Sequence, residues 1–272
     1  MKKDFTTIRK YLSLSFDRDL TLKQKINLAC KTRGIDTVKV NNNEIIKSNL
    51  GWLEQSDNNH IVHFNDPNYP LQLKQINNPP LLLFCQGNIK LMQKNSLAII
   101  GSRTSSHYSN TIAKEFTKYF SMLKIPIISG LAKGIDAVAG NYSVENNPGA
   151  IAVIGTGLDI TYPISNNSLQ NKIAKQGLLI SEYPLGTPPL KHNFPQRNRI
   201  ISALAMGVCV IEAKLRSGSL ITAKLALEYG KEVFVIPGPI NNAAFWGSHK
   251  LIQEGAKLVQ EPQDILDELP FL

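Results

Sequence analysis

Between Lys191 and Ala223 the chain reads KHNFPQRNRIISALAMGVCVIEAKLRSGSLITA, and this stretch holds the residues best suited to chemistry. Lys191, Arg197 and Arg199, with the aromatic Phe194 among them, open a predicted helix. An apolar strand follows at 208–211, and a Ser217-Gly218-Ser219 turn starts the next helix. Cations supply fixed positive charge for a phosphate, and a helix that begins on small residues offers exposed backbone N–H groups. An aromatic ring among cations suits a single nucleic-acid strand, since a base can stack while its phosphate is neutralised. No acid, nucleophile or metal-ligand set accompanies these residues. The pattern therefore points to a nucleic-acid binder before an enzyme.

Other constellations are weaker. Gly101-Ser102-Arg103 ends an apolar run, where Ser102 and Ser105 are candidates to cap the next helix and Arg103 would project over its N-terminus as a phosphate clamp. The alternative there is a capped turn with a solvated arginine. SGLAKGID (129–136) pairs two glycines with Lys133, which could reach a phosphate, and with Asp136, read as a loop or helix-end hydrogen-bonding group. Gly155-Thr156-Gly157 lacks the third glycine of a dinucleotide fingerprint and reads as a tight turn. Glu182 and Glu212 sit at strand ends, where orienting loops or arginines is a simpler role than acid–base catalysis. His60 and His63 form an isolated pair in what reads as a polar loop, with no third ligand nearby, so no metal or other cofactor is expected. Phe194 and Tyr183 are the candidate stacking residues. Phe194 stands out because it lies outside any apolar run.

The elements that must position these residues follow a regular pattern from Leu97 on. Apolar runs at 97–101, 125–130, 150–155, 177–182, 207–213 and 232–238 alternate with helix-length amphipathic segments, and AKLV (256–259) adds a possible edge. Continuous apolar strands alternating with helices imply a parallel sheet covered on both faces, an α/β Rossmann-like doubly wound fold. In such sheets ligands bind beyond the C-terminal strand ends, where this chain places its glycine-, serine- and cation-rich loops. Residues 1–65 are Asn- and Lys-rich with modest helical patterning and read as a small helical domain. Residues 66–272 form the larger domain, entered through a connector in which LLLFCQG reads as a short buried strand.

The chain has 272 residues, 43% of them hydrophobic, and a formal net charge of +9, which makes a polyanion the expected partner. Membrane surfaces are the competing polyanion, but no basic amphipathic helix supports them. Cys30, Cys85 and Cys209 are far apart, which fits a reducing compartment, and Cys209 reads as core. With no signal peptide or transmembrane run, a soluble cytoplasmic protein is expected.

At these motifs the chain resembles the bacterial DNA processing protein A family, also called Smf. The resemblance runs from about Asp66 to Ala256 through AIIGSR, ISGLAKGIDAVA, AVIGTGLDITYPISN, LISEYPLGTPPLKHNFPQRNRIIS, VIEAKLRSGSLITAKLALEYGKEVFVIPGPI and LIQEGA. It implies sequence-independent binding of single-stranded DNA, protection of incoming DNA in natural transformation, loading of the RecA recombinase and homodimer formation, without catalysis. It implies a DNA pocket of Arg103, Lys133, Lys191, Phe194, Arg197 and Arg199, with backbone N–H groups from Ser217, Gly218 and Ser219. It also implies that residues 1–65 correspond to the family's SAM-like domain. The winged-helix domain found at the C-terminus of many members is expected to be absent. Where the family commonly has a histidine after GID, this chain reads AVAGNYS, with Gly140. The alternative function is a nucleotide-processing hydrolase on the same fold, using Asp136, Glu182 or Glu212. A protein-interaction scaffold whose basic face is incidental is a further reading.

Overall fold

A computed structural model describes residues 3–31, 34–40, 43–146 and 149–269. Helices α1 (Phe5–Phe16), α2 (Leu22–Cys30) and α3 (Glu44–Glu54) come first. Each starts on a residue that suits an N-cap. Asp4 accepts from the Thr7 amide, Thr21 forms a reciprocal capping box with Gln24, and Asn43 accepts from the Ile46 amide. The chain continues through β1 (Asn59–His63), a short α4 (Leu71–Lys74) and β2 (Leu82–Gly87). The alternating part comprises β3 (Ser96–Ile100), α5 (His107–Met122), β4 (Ile127–Ser129), α6 (Ile135–Val144), β5 (Ala150–Ile154), α7 (Asn167–Gln176) and β6 (Leu178–Ser181). It goes on with α8 (Asn193–Leu204), β7 (Ala205–Val210), α9 (Gly218–Glu228), β8 (Glu232–Val235), α10 (Trp246–Gln253), β9 (Lys257–Leu258) and α11 (Gln263–Glu268).

The nine strands form one sheet in the order β1-β2-β6-β5-β4-β3-β7-β8-β9. From β6 to β9 every pairing is parallel, while β1–β2 and β2–β6 are antiparallel. The expected α/β Rossmann-like sheet is therefore present, with every apolar run from Leu97 on supplying a strand. Successive residues of β3 face opposite sides. Leu97 and Ile99 join Phe116 and Phe120 of α5 and Ile265 of α11, whereas Ala98 and Ile100 join Ile200 and Ile201 of α8 and Ala223 of α9. Both faces are buried, so the strands read as unbroken apolar runs instead of alternating ones. Cys209 lies in this core, as its setting in an apolar run implies.

The polar-loop reading of residues 60–63 is corrected. Asn59–His63 is a strand, paired in register from Asn59 opposite Gln86 to His63 opposite Leu82. His63 stacks on Tyr11 of α1, with centroids 4.3 Å apart and planes 9° from parallel. The ring is therefore packed where the sequence suggested solvent. Among the described residues no helix is long and apolar enough to cross a membrane.

Candidate nucleic-acid interface

From β3 the chain winds outward through β4, β5 and β6, then returns to lay β7, β8 and β9 on β3's other side. The loops after β3 and β7 consequently leave in opposite directions and open a crevice. A cleft of about 410 Å³ lies there, lined by Gly101–Thr104, Asp136, Arg197, Asn198 and Lys214–Ser219 among others.

Arg103 is exposed at the cleft mouth. Its loop is shaped by Ser102, whose hydroxyl accepts from the Thr104 amide at 3.2 Å, and by the Ile135 amide, which donates to the Ser102 carbonyl at 3.2 Å. The helix after this loop is capped by Ser106, not by Ser102 or Ser105, because α5 begins only at His107. Glu212, fully buried just beyond β7, accepts from the Ser106 amide (3.0 Å) and from the Ser106 and Ser109 hydroxyls (2.7 Å each). Burial raises the Glu212 pKa, but these bonds outweigh it and leave the carboxyl below its usual value. Glu212 thus ties the end of β7 to the start of α5 across the crevice.

Phe194 is half-buried at the start of α8 and rests on Gly155, where an added Cβ would lie 3.1 Å from the ring. A side chain there would crowd the ring and push it by a few tenths of an ångström. The Arg103 guanidinium carbon stands over the Phe194 ring, 6.0 Å from its centroid. The cation and the aromatic singled out in the sequence therefore meet. Gly155-Thr156-Gly157 is a turn, as expected, with the Ile160 amide bonded to the Gly157 carbonyl at 3.0 Å and the Thr156 hydroxyl to the Ile160 carbonyl at 2.7 Å.

The N-terminus of α9 opens on the same cleft. Ser217 precedes it in extended geometry, and its hydroxyl is buried without a partner among the described residues. A Cβ on Gly218 would meet nothing within 4 Å, and the Ser219 hydroxyl donates to the Gly101 carbonyl at 3.1 Å. The first amides of α9 lack intrahelical acceptors and so suit an anion. Two exposed cations of the same loop, Lys214 and Arg216, also line the cleft. They were absent from the candidate set, although their place after a parallel strand was a readable signal.

Arg197 and Arg199 need correction as direct phosphate ligands. Arg197 is buried and donates to the carbonyls of Gly130 (2.7 Å) and Val153. It faces Asp136 across Gly130, whose amide donates to the Asp136 carboxylate at 2.9 Å. Burial lowers the Arg197 pKa to about 10, opposed by the Asp136 charge, and burial raises Asp136 against the pull of Arg197. This pair braces the cleft wall. The signal for burial was in the helical spacing: Asn193, Arg197, Ile200, Ile201 and Leu204 form one stripe of α8, and all are buried. Arg199 lies off the cleft and is held by Glu182 at 2.6 Å, largely shielded from water. Asp136, Glu182 and Glu212 are all engaged in structural contacts.

Lys133 and Lys191 are exposed, each close in sequence to a residue that shapes the site. Lys133 follows Ala132 of the cleft lining, and Lys191 precedes Asn193, whose side-chain amide donates to the Gly155 carbonyl at 3.0 Å. Tyr183 is no open stacking surface. Its hydroxyl lies 3.4 Å from both the Asn193 carbonyl and the Gln196 side chain, and burial, with help from Glu182, raises its pKa to about 12. Among the described residues no group of His, Cys, Asp and Glu is placed to hold a metal ion.

The chain is similar to known proteins over most of its length. A family model described as DNA recombination-mediator protein A matches residues 60–270. Protein Smf of Escherichia coli is 45% identical over 227 residues, which cover 83% of this chain and 60% of that protein. DNA processing protein DprA of Streptococcus pneumoniae is 49% identical over 208 residues, covering 76% and 73% respectively. An X-ray structure of the Streptococcus pneumoniae protein matches with a TM-score of 0.77 and 36% identity, covering 98% of this chain and 99% of that one. A structure describing the single-stranded DNA binding mode of DNA processing protein A from Helicobacter pylori matches with a TM-score of 0.69 and 32% identity, covering 74% and 92%.

Proposed function

The chain belongs to the DNA recombination-mediator protein A family, and from that premise we propose that its switch-point cleft binds single-stranded DNA without sequence preference. The observation that carries the reading is an exposed cation, Arg103, at a crevice onto which a helix N-terminus also opens, with the Phe194 ring beneath that cation. Arg103, Lys214 and Arg216 neutralise phosphates, with Lys133 and Lys191 extending the positive surface. Ser217, Gly218 and Ser219 present backbone N–H groups to a phosphate. Phe194 takes a base by its face, which tolerates any base. Arg197 positions the wall through the carbonyls it holds, and Arg199 positions α8 through Glu182. The single-stranded DNA binding mode described for the Helicobacter pylori relative supports the ligand class.

The wider role proposed is protection of incoming DNA and loading of RecA recombinase during transformation and recombination, with a homodimer holding two stretches of one strand and gaining avidity. Nothing in this role requires catalysis. The engaged state of Asp136, Glu182 and Glu212 lends the hydrolase reading no support.

The test is fluorescence anisotropy with labelled oligo-dT and with its duplex across a salt series. Tight binding that favours the single strand and weakens steeply with salt is the expected outcome. Absence of binding, or equal affinity for the duplex, would overturn the reading.

A further inference from the structure

Tyr162 lies in the loop between β5 and α7, next to the candidate stacking residue. Its ring centroid is 5.2 Å from that of Phe194, with the planes 43° apart. It is 46% exposed, and Ile164, two residues on, is 77% exposed. Singly exposed apolar groups are common on protein surfaces, so the significance of Tyr162 rests on its contact with the Phe194 ring. The loop is held firmly on both sides of the ring. The Thr161 hydroxyl donates to the Asn167 side chain at 3.0 Å, and the Asn166 side-chain amide donates to the carbonyls of Leu131 (3.0 Å) and Ala132 (3.1 Å) beside the cleft. Tyr162 is thus a positioned ring.

We propose that Tyr162 is a second DNA-stacking residue, forming with Phe194 a two-ring platform for adjacent bases of the strand whose phosphate is held at Arg103. This rests on the cleft being the single-strand site. The tilt between the rings gives the platform a selectivity that one ring would lack. Two bases lying flat on rings 43° apart cannot remain parallel to one another, so their mutual stacking has to break. A strand with strong internal stacking, such as oligo-dA, resists this more than oligo-dT. The platform reads no base edge, so the sequence tolerance of the cleft is limited only where a purine run stays strongly stacked.

The test compares wild type, Tyr162→Ala and Tyr162→Leu on oligo-dT and oligo-dA, with thermal melting as the check of folding. Leucine keeps apolar bulk against Phe194 but offers no flat face, so it separates a platform from a mere prop for Phe194. Both variants are expected to lose about 5- to 150-fold in oligo-dT affinity and to lose most of the preference for dT over dA. Photocrosslinking of wild type to oligo-dT carrying 5-iodouracil should place adducts on Tyr162 and Phe194. Wild-type affinity in the leucine variant with the dT preference intact, or adducts on Phe194 but none on Tyr162, would overturn the proposal and leave the cleft reading standing. Failure of wild type to bind oligo-dT at all would remove both.

Discussion

Arg103 reaches solvent at the cleft mouth, whereas Arg197 is buried in the wall and donates to the carbonyls of Gly130 and Val153. Their alanine variants should fail in different ways. Arg103→Ala removes a phosphate partner, so single-strand affinity should fall and the slope of log K against log salt should flatten by about 0.7. Phe194→Ala should cost about 1–3 kcal/mol of binding and leave that slope unchanged, because a stacked base releases no counterion. Anisotropy titrations at several salt concentrations check both, and a slope change in the phenylalanine variant would reassign the ring to positioning the cation above it. Arg197→Ala strands buried carbonyls and an uncompensated Asp136. It should lower folding stability by about 3 kcal/mol or more, read as a shift in the urea midpoint. In the sequence these arginines look alike, since a run of cations records charge and not direction. The helical stripe shared with Ile200, Ile201 and Leu204 was the available clue to the fate of Arg197. The burial of Glu212 had no such clue, because its partners, Ser106 and Ser109, are distant in the chain.

The start of α9 admits a test on its backbone. Ser217 has φ −80° and ψ 157°, the conformation a residue before proline prefers, and Gly218 occupies the first helical position with open space around it. Gly218→Pro should therefore leave the melting temperature unchanged or raised, yet weaken single-strand binding by removing one N–H from the anion site. Undiminished affinity in a stable variant would move the phosphate away from this helix end. The β1–α1 contact carries a pH prediction. Burial holds the pKa of His63 below its ordinary value near 6.5, and burial together with Lys3 does the same to His60. The unfolded chain thus takes up protons that the folded one resists, so stability is lost as pH falls below about 6.5 towards the lowered folded values. His63→Phe keeps a ring against Tyr11 and removes the titration. The fall in melting temperature from about pH 7.5 to about pH 5.5 should be smaller in this variant than in wild type. β1 escaped the sequence reading because NHIVH is polar and antiparallel, placed at the rim, whereas strands buried on both faces declare themselves as apolar runs.

The whole molecule places its functional loops by topology. Arg103, Ala132 and Gly218 are far apart in the chain and line one cleft because they follow β3, β4 and β7, the strands at the point where the winding reverses, and Phe194, at the start of the helix that crosses from β6 to β7, comes beneath Arg103. That convergence was legible, since it needs only the strand order of a doubly wound fold. Which cations face the crevice was not, because this depends on the turn geometry of loops such as Lys214–Ser217. The net charge of +9 acts at this scale too, drawing a polyanion towards the surface before any contact forms. The end of the sheet carries a separate consequence. β9 consists of Lys257 and Leu258, and the Lys257 ammonium is tied to Glu268 of α11. So short a margin presents too few free N–H and C=O groups to template another chain. Runaway cross-β growth is thereby blunted on that side, and copies of the protein can crowd there without their sheets fusing.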